Sequence, residues 1–110
     1  MNRGTAVLVL LLAAMLEVGG DAVVRMALHR PSGAGRVMFF IVGASLLFAY
    51  GYTVNAPPWD FGRLLGLYVV FFFVVAQAIS WIGFRQRPSL AVMCGGALIV
   101  CGGFVIALFQ

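Results

Sequence analysis

Apolar residues run along this chain in four blocks separated by short polar breaks. Val37–Val54, Leu64–Phe84 and Ser89–Leu108 hold no charged residue. Each is about as long as the roughly 20 apolar residues with which a helix crosses a hydrocarbon core. A fourth block, Thr5–Leu28, is uninterrupted from Ala6 to Leu16 and then carries Glu17, Asp21 and Arg25. The runs are continuous and do not alternate between apolar and polar positions, which predicts helices and excludes barrel strands. The breaks have loop chemistry: His29–Arg36 contains Pro31, Gly33 and Gly35, Asn55–Asp60 contains Pro57-Pro58, and Arg85–Pro88 is tight. Pro88 is expected in the first turn of the last helix, where a missing N–H is tolerated. The pattern therefore predicts an all-α membrane protein, with residues 1–110 forming one domain of four transmembrane helices. Glu17 follows the first apolar run directly and no small-x-small site comes after it, so that run is expected to be a span and not a cleaved leader.

Composition strengthens this reading. The chain is 64% hydrophobic and 9% charged, against about a quarter charged in a soluble domain. Its net charge of +4 comes from seven arginines, two aspartates and one glutamate. The arginines are scattered between apolar runs and do not form a basic face, which argues against nucleic acid as a partner. Arg3 and Arg63 fall on one side of a four-span topology, while Arg25, Arg30, Arg36, Arg85 and Arg87 fall on the other. The arginine excess places the first and third loops in the cytoplasm of a bacterial inner membrane, in a single orientation. Trp59 with Tyr50 and Tyr52, and Trp81 with Phe84, are expected as aromatic belts at opposite interfaces.

The charges inside the first helix are the main chemical signal. Glu17, Asp21 and Arg25 are spaced i, i+4, i+8 and so project from nearly one face. At 1.5 Å per residue they lie about 18, 24 and 30 Å beyond Thr5. Arg25 therefore reaches the interface and can snorkel. Asp21 precedes Arg25 by four residues, the better orientation for a local ion pair. Glu17 has no such partner in its own helix. An ionised carboxylate facing lipid costs several kcal/mol, so Glu17 is expected to face a wet cavity or a partner, or to hold a proton. A carboxyl group that holds either a proton or a cation, but not easily both, is the chemical basis of proton-coupled exchange.

Small and aromatic residues complete the pattern. Cys94-Gly95-Gly96 recurs as Cys101-Gly102-Gly103, and a seven-residue repeat keeps one groove facing a neighbouring helix. Gly62 and Gly66 offer a weaker version. The two cysteines lie about 10.5 Å apart along one helix and cannot bond to each other. Tyr68, Phe71 and Phe72 could form a stripe that stacks on an organic cation, and Gln77 and Ser80 could line the same cavity. No phosphate loop, nucleophile elbow or zinc spacing occurs. The expectation is a protein that is not an enzyme and needs no cofactor, with protons as its coupling ion.

Three segments resemble the small multidrug resistance transporters, four-helix members of the drug/metabolite transporter superfamily. Leu16-Glu17-Val18-Gly19-Gly20 resembles the family's Ala-Glu-Val-x-Gly motif, with Glu17 at the essential acid. Phe84-Arg85-Gln86-Arg87 resembles its Phe-Gly-Gln-Arg loop. Gly95 to Gly102 fits the Gly-x-x-Leu-Ile-x-x-Gly pattern of its fourth helix. The resemblance implies an inverted homodimer packed through Gly95 and Gly102. In it two copies of Glu17 share one site, and protons exchange for substrate by alternating access. Tyr68 stands where the family's exporters have Trp, Val69-Val70-Phe71-Phe72 replaces a Gly-rich bend, Asp21 replaces a small hydroxyl residue, and Val42 lies near the position of a substrate-facing Tyr. Gly62-Arg63 followed by Tyr68 resembles a less characterised branch of short four-helix proteins.

Together these features predict a proton-linked antiporter of a small organic cation, with Glu17, Tyr68 and Asp21 at the site. The alternatives are a lipid or lipid-carrier translocation subunit, whose substrate is lipid-like, and a non-transporting assembly subunit of a membrane complex.

Overall fold

The computed structural model describes residues 2–109. It contains four helices in chain order, α1 (Arg3–Leu28), α2 (Ala34–Val54), α3 (Phe61–Phe84) and α4 (Leu90–Phe109). All four are long and apolar enough to span a bilayer. Three begin earlier than the apolar blocks predicted: α1 at Arg3, α2 at Ala34 and α3 at Phe61, so Gly35-Arg36 and Gly62-Arg63 sit in first turns. The reason is that a helix continues through an interfacial arginine, whose aliphatic stem lies along the apolar surface while its guanidinium reaches water.

The helix ends are set by local chemistry. Asn2 caps α1, its side-chain oxygen accepting from the Thr5 N–H at 2.7 Å. Ser89 caps α4, its Oγ accepting from the Val92 N–H at 3.2 Å, so Pro88 stands just outside the helix and not in its first turn. At the end of α3, Arg85 adopts a left-handed conformation (φ 55°, ψ 37°), and the Gln86 N–H donates back to the Ser80 carbonyl at 2.9 Å.

The helices stand in a row and not in a closed square. Packing runs α2 against α1, α1 against α3, and α3 against α4. The principal extents of 50 × 34 × 19 Å match four helices side by side, because an interaxial distance of 8–10 Å places four in about 30 Å. Close approach depends on small residues, as is usual where lipid is no more polar than leucine. A methyl group added at Gly43 would meet a Val24 methyl at 2.6 Å, and one at Gly20 would meet Leu47 at 2.9 Å, which fixes the α1–α2 crossing. Gly66, Val70 and Phe73 of α3 meet Ile106, Gly103 and Gly96 of α4 in an antiparallel seam. Between α1 and α3, Ala13 and Ala14 are fully buried beside Leu10, Leu64 and Tyr68. Large side chains elsewhere, such as Phe48 and Ile82, are exposed along the flanks, the side that faces acyl chains in a bilayer.

Five arginines rest against aromatic rings near helix ends. Arg25 lies over Phe84, Arg30 over Phe39, Arg36 over Phe40, Arg63 over Trp59 and Arg87 over Trp81, at 4.3–5.6 Å from the ring centroids. Trp81 and Phe84 thus mark one interface, with Trp59 at the other.

Candidate functional site

Glu17 sits near the middle of α1, about 21 Å from its first residue. Ala13 and Ala14, one turn before it, have no exposed surface. Their small side chains let α3 come close enough for Tyr68 to cross onto α1. Tyr68 is 4% exposed, and its hydroxyl donates to Glu17 Oε1 at 2.8 Å. Glu17 itself is half-buried. Among the described residues its other oxygen, Oε2, has no hydrogen-bond partner, and no basic side chain lies within 4.0 Å of either oxygen. One oxygen is therefore fixed by a phenol and the other is free.

Aromatic rings wall this carboxylate. The Tyr50 and Tyr68 ring centroids are 5.5 Å apart, and Phe72 follows at 6.3 Å from Tyr68. With Glu17, Leu65 and Val69 they line an open groove of about 250 Å³. That is below the roughly 300–1,000 Å³ of sites that enclose a drug-sized molecule. A carboxylate among ring faces suits a small cation, since the rings attract positive charge through their quadrupoles and have little to offer an anion.

Tyr50 is the residue that sequence reasoning missed. Its position near the end of α2 suggested a belt residue beside Tyr52. Tyr52 is indeed 79% exposed, but Tyr50 turns inward to Tyr68. The signal that could have found it is the Gly20–Gly43 crossing: continuing the antiparallel register from that point brings Tyr50 alongside the turn that carries Glu17.

Asp21 occupies a different compartment. It lines a cleft of about 210 Å³ with Arg25, Phe72, Ser80 and Phe84, towards the third loop. Phe72 borders both this cleft and the Glu17 groove. The expected Asp21–Arg25 ion pair does not form: no acid–base pair within 4.0 Å occurs among the described residues, and Arg25 stacks on Phe84 at 5.6 Å instead. Both side chains are exposed at this end, where hydration of the separate charges competes with pairing.

The aromatic stripe is also narrower than its spacing suggested. Tyr68 and Phe72, four residues apart, share the Glu17 face, whereas Phe71 turns towards α4. Gln77 lines the α3–α4 groove with Phe73 and Cys101, and only Ser80 reaches the Asp21 cleft. Gly96 and Gly103 are covered by Phe73 and Val70 of the same chain, while Gly95 and Gly102 have open space where a side chain would stand. Gly66 packs against Ile106, whereas a side chain at Gly62 would meet open space. Cys94 and Cys101 are free thiols on the exposed side of α4.

Comparison with known proteins gives full-length relatives. A UPF0060 membrane protein of Herpetosiphon aurantiacus is 29% identical over 103 residues, covering 92% of this chain and 91% of the relative. The UPF0060 membrane protein YfjF of Bacillus subtilis is 32% identical over 102 residues, covering 91% and 90%. No family model matches the chain, and no solved structure matches it at a significant level.

Proposed function

The chain belongs to the UPF0060 family of membrane proteins, and from the geometry of its candidate site we propose that it is a proton-coupled antiporter exporting a small organic cation. The observation that carries this reading is the Glu17–Tyr68 hydrogen bond inside an aromatic groove. A carboxylate this deep in a bilayer is stabilised by a proton, a cation or water reaching it through a cavity. Oε1 is held by Tyr68 in either state, which leaves Oε2 to bind a proton or to face a cation. One oxygen cannot serve both at once, so loading the cation displaces the proton and loading the proton expels the cation. Tyr50, Tyr68 and Phe72 supply ring faces to the cation, and the size of the groove favours a guanidinium or a small quaternary amine.

A homodimer in a bacterial inner membrane completes the proposal. The row of helices leaves the groove open, and a second copy would supply the missing wall. Gly95 and Gly102, which have open space beside them, are the natural contact for that copy. Rocking of the two copies against each other would expose the shared site alternately to each side.

The experiment is cation transport in proteoliposomes carrying a pH-sensitive dye inside. Guanidinium and tetramethylammonium gradients should each drive protons in the opposite direction in the unaltered protein. Glu17→Gln should abolish this exchange while the protein still inserts and keeps its helicity. Undiminished proton-coupled flux in that variant, or no cation-driven proton movement in the unaltered protein, would overturn the reading.

A further inference from the structure

At the end of the molecule where α1 and α3 begin and α4 finishes, Arg3 and Arg63 line one groove with Trp59. Its volume is about 400 Å³, and below the arginines it is apolar, walled by Leu10 of α1, Leu67 and Phe71 of α3, and Leu108 of α4. Arg63 Nε is buried and has no hydrogen-bond partner. Neither arginine forms an ion pair within 4.0 Å among the described residues. Asp60, the acid in the adjoining loop, is exposed and makes no side-chain bond to the start of α3. The first turns of α1 and α3 add the positive ends of two helix dipoles, against the negative end of α4 alone. This is a strongly positive head above a greasy slot, at the depth where an interfacial tryptophan resides.

We propose that this groove binds an anionic phospholipid. Its phosphate would lie between Arg3 and Arg63 and accept from their guanidinium N–H groups, and an acyl chain would run along Leu10, Leu67 and Phe71. The charge of the site selects the lipid class: a zwitterionic headgroup brings a second cation towards two arginines, whereas a headgroup with a net negative charge does not. The apolar slot selects a lipid over a soluble anion. The acyl chain would also fill a gap in the row. α1 and α4 each pack against α3, and the groove lies between them, so a bound lipid would tie α4 to α1. The site is at the opposite end of α1 from Asp21 and does not depend on cation transport.

The test uses the full chain purified in mild detergent, with native mass spectrometry and thermal unfolding read in parallel. Phosphatidylglycerol and phosphatidylcholine with identical acyl chains are added at equal mole fraction. The expected result is one retained phosphatidylglycerol per chain, with a rise in melting temperature that depends on lipid concentration, and at least about tenfold less retention of phosphatidylcholine. The double variant Arg3→Gln/Arg63→Gln should lose that preference. Ala107→Phe, which fills the slot, should lose the lipid with both arginines intact, and it decides the matter should the double variant fail to fold. Arg36→Gln, at the opposite end and also with a buried unpaired Nε, should behave as the unaltered protein. Equal retention of the two lipids, a preference that survives Ala107→Phe, or displacement of the lipid by millimolar inorganic phosphate would overturn the proposal.

Discussion

Tyr68 reaches across from the third helix to hold one oxygen of Glu17 at 2.8 Å, over 51 positions of sequence. Two features make the bond consequential. The acceptor is the acid deepest in the helix row, and the donor belongs to a ring that also walls the groove. Tyr68 thus positions the carboxylate, and under the proposed function it would also present a surface to the cation; the two roles separate by mutation.

Removing only the hydroxyl tests the positioning role. Hydrogen bonds to charged groups contribute roughly 1.5–3 kcal/mol in water-soluble proteins, but pairs inside membranes average nearer 0.6 kcal/mol. Tyr68→Phe is therefore expected to weaken cation binding by about three- to tenfold and to shift the pH dependence of exchange, with little change in melting temperature. Equilibrium binding of a labelled guanidinium at several pH values reads both effects. A variant indistinguishable from the parent at every pH would deny the bond a functional part.

The ring role is tested at Tyr50, which makes no hydrogen bond to Glu17 among the described residues and contributes a face alone. A ring over a cation provides about 0.5–2 kcal/mol. Tyr50→Phe should leave affinity nearly unchanged, and Tyr50→Leu should lower it by about three- to thirtyfold. Titration calorimetry on the purified protein distinguishes the two. Equal losses in both variants would point to the hydroxyl and not the ring.

Adjacent glycines on α4 should behave oppositely. Gly96 is covered by the Phe73 ring and Gly95 faces open space. Gly96→Leu should dislodge α4 from α3 and lower the melting temperature by many degrees, because overpacking a tight contact typically costs 1–3 kcal/mol or more. Gly95→Leu should leave the monomer intact and reduce self-association. Light scattering in detergent, paired with thermal unfolding, separates these outcomes. If Gly95→Leu unfolds the chain and leaves association unchanged, α4 is packed differently.

The end of α3 offers a gain in stability. Arg85 is the one non-glycine residue with positive φ among the described residues, a conformation that costs an ordinary L-residue about 1–2 kcal/mol. Arg85→Gly should raise the melting temperature by several degrees, with the third loop otherwise unchanged. A fall in melting temperature would mean that the Arg85 side chain contributes more than its backbone strain costs.

Much of this molecule is written along one dimension. Four unbroken apolar stretches determine four helices, because a backbone in hydrocarbon must satisfy its own hydrogen bonds. An acid near the middle of such a stretch marks the candidate site, since burying it without a purpose is expensive. Both follow from the local composition of the chain and need no knowledge of neighbours. The helix starts were less legible: the spans extend past Arg36 and Arg63 because those long side chains curl back to the interface.

Other features depended on which faces meet, and a period of 3.6 residues leaves that undecided. Asp21 and Arg25 are spaced for a bond, yet Phe84, far along the chain, takes the guanidinium instead. Tyr50 looked like a belt residue until the crossing of Gly20 and Gly43 set the register of α2 on α1. Gly95 and Gly96 are chemically identical in sequence, and only the approach of Phe73 tells them apart. The primary structure determined that there are four spans and that Glu17 is the exceptional side chain. Tertiary packing decided what surrounds that side chain, because contact across helices depends on rotation and depth, which distant small residues set jointly.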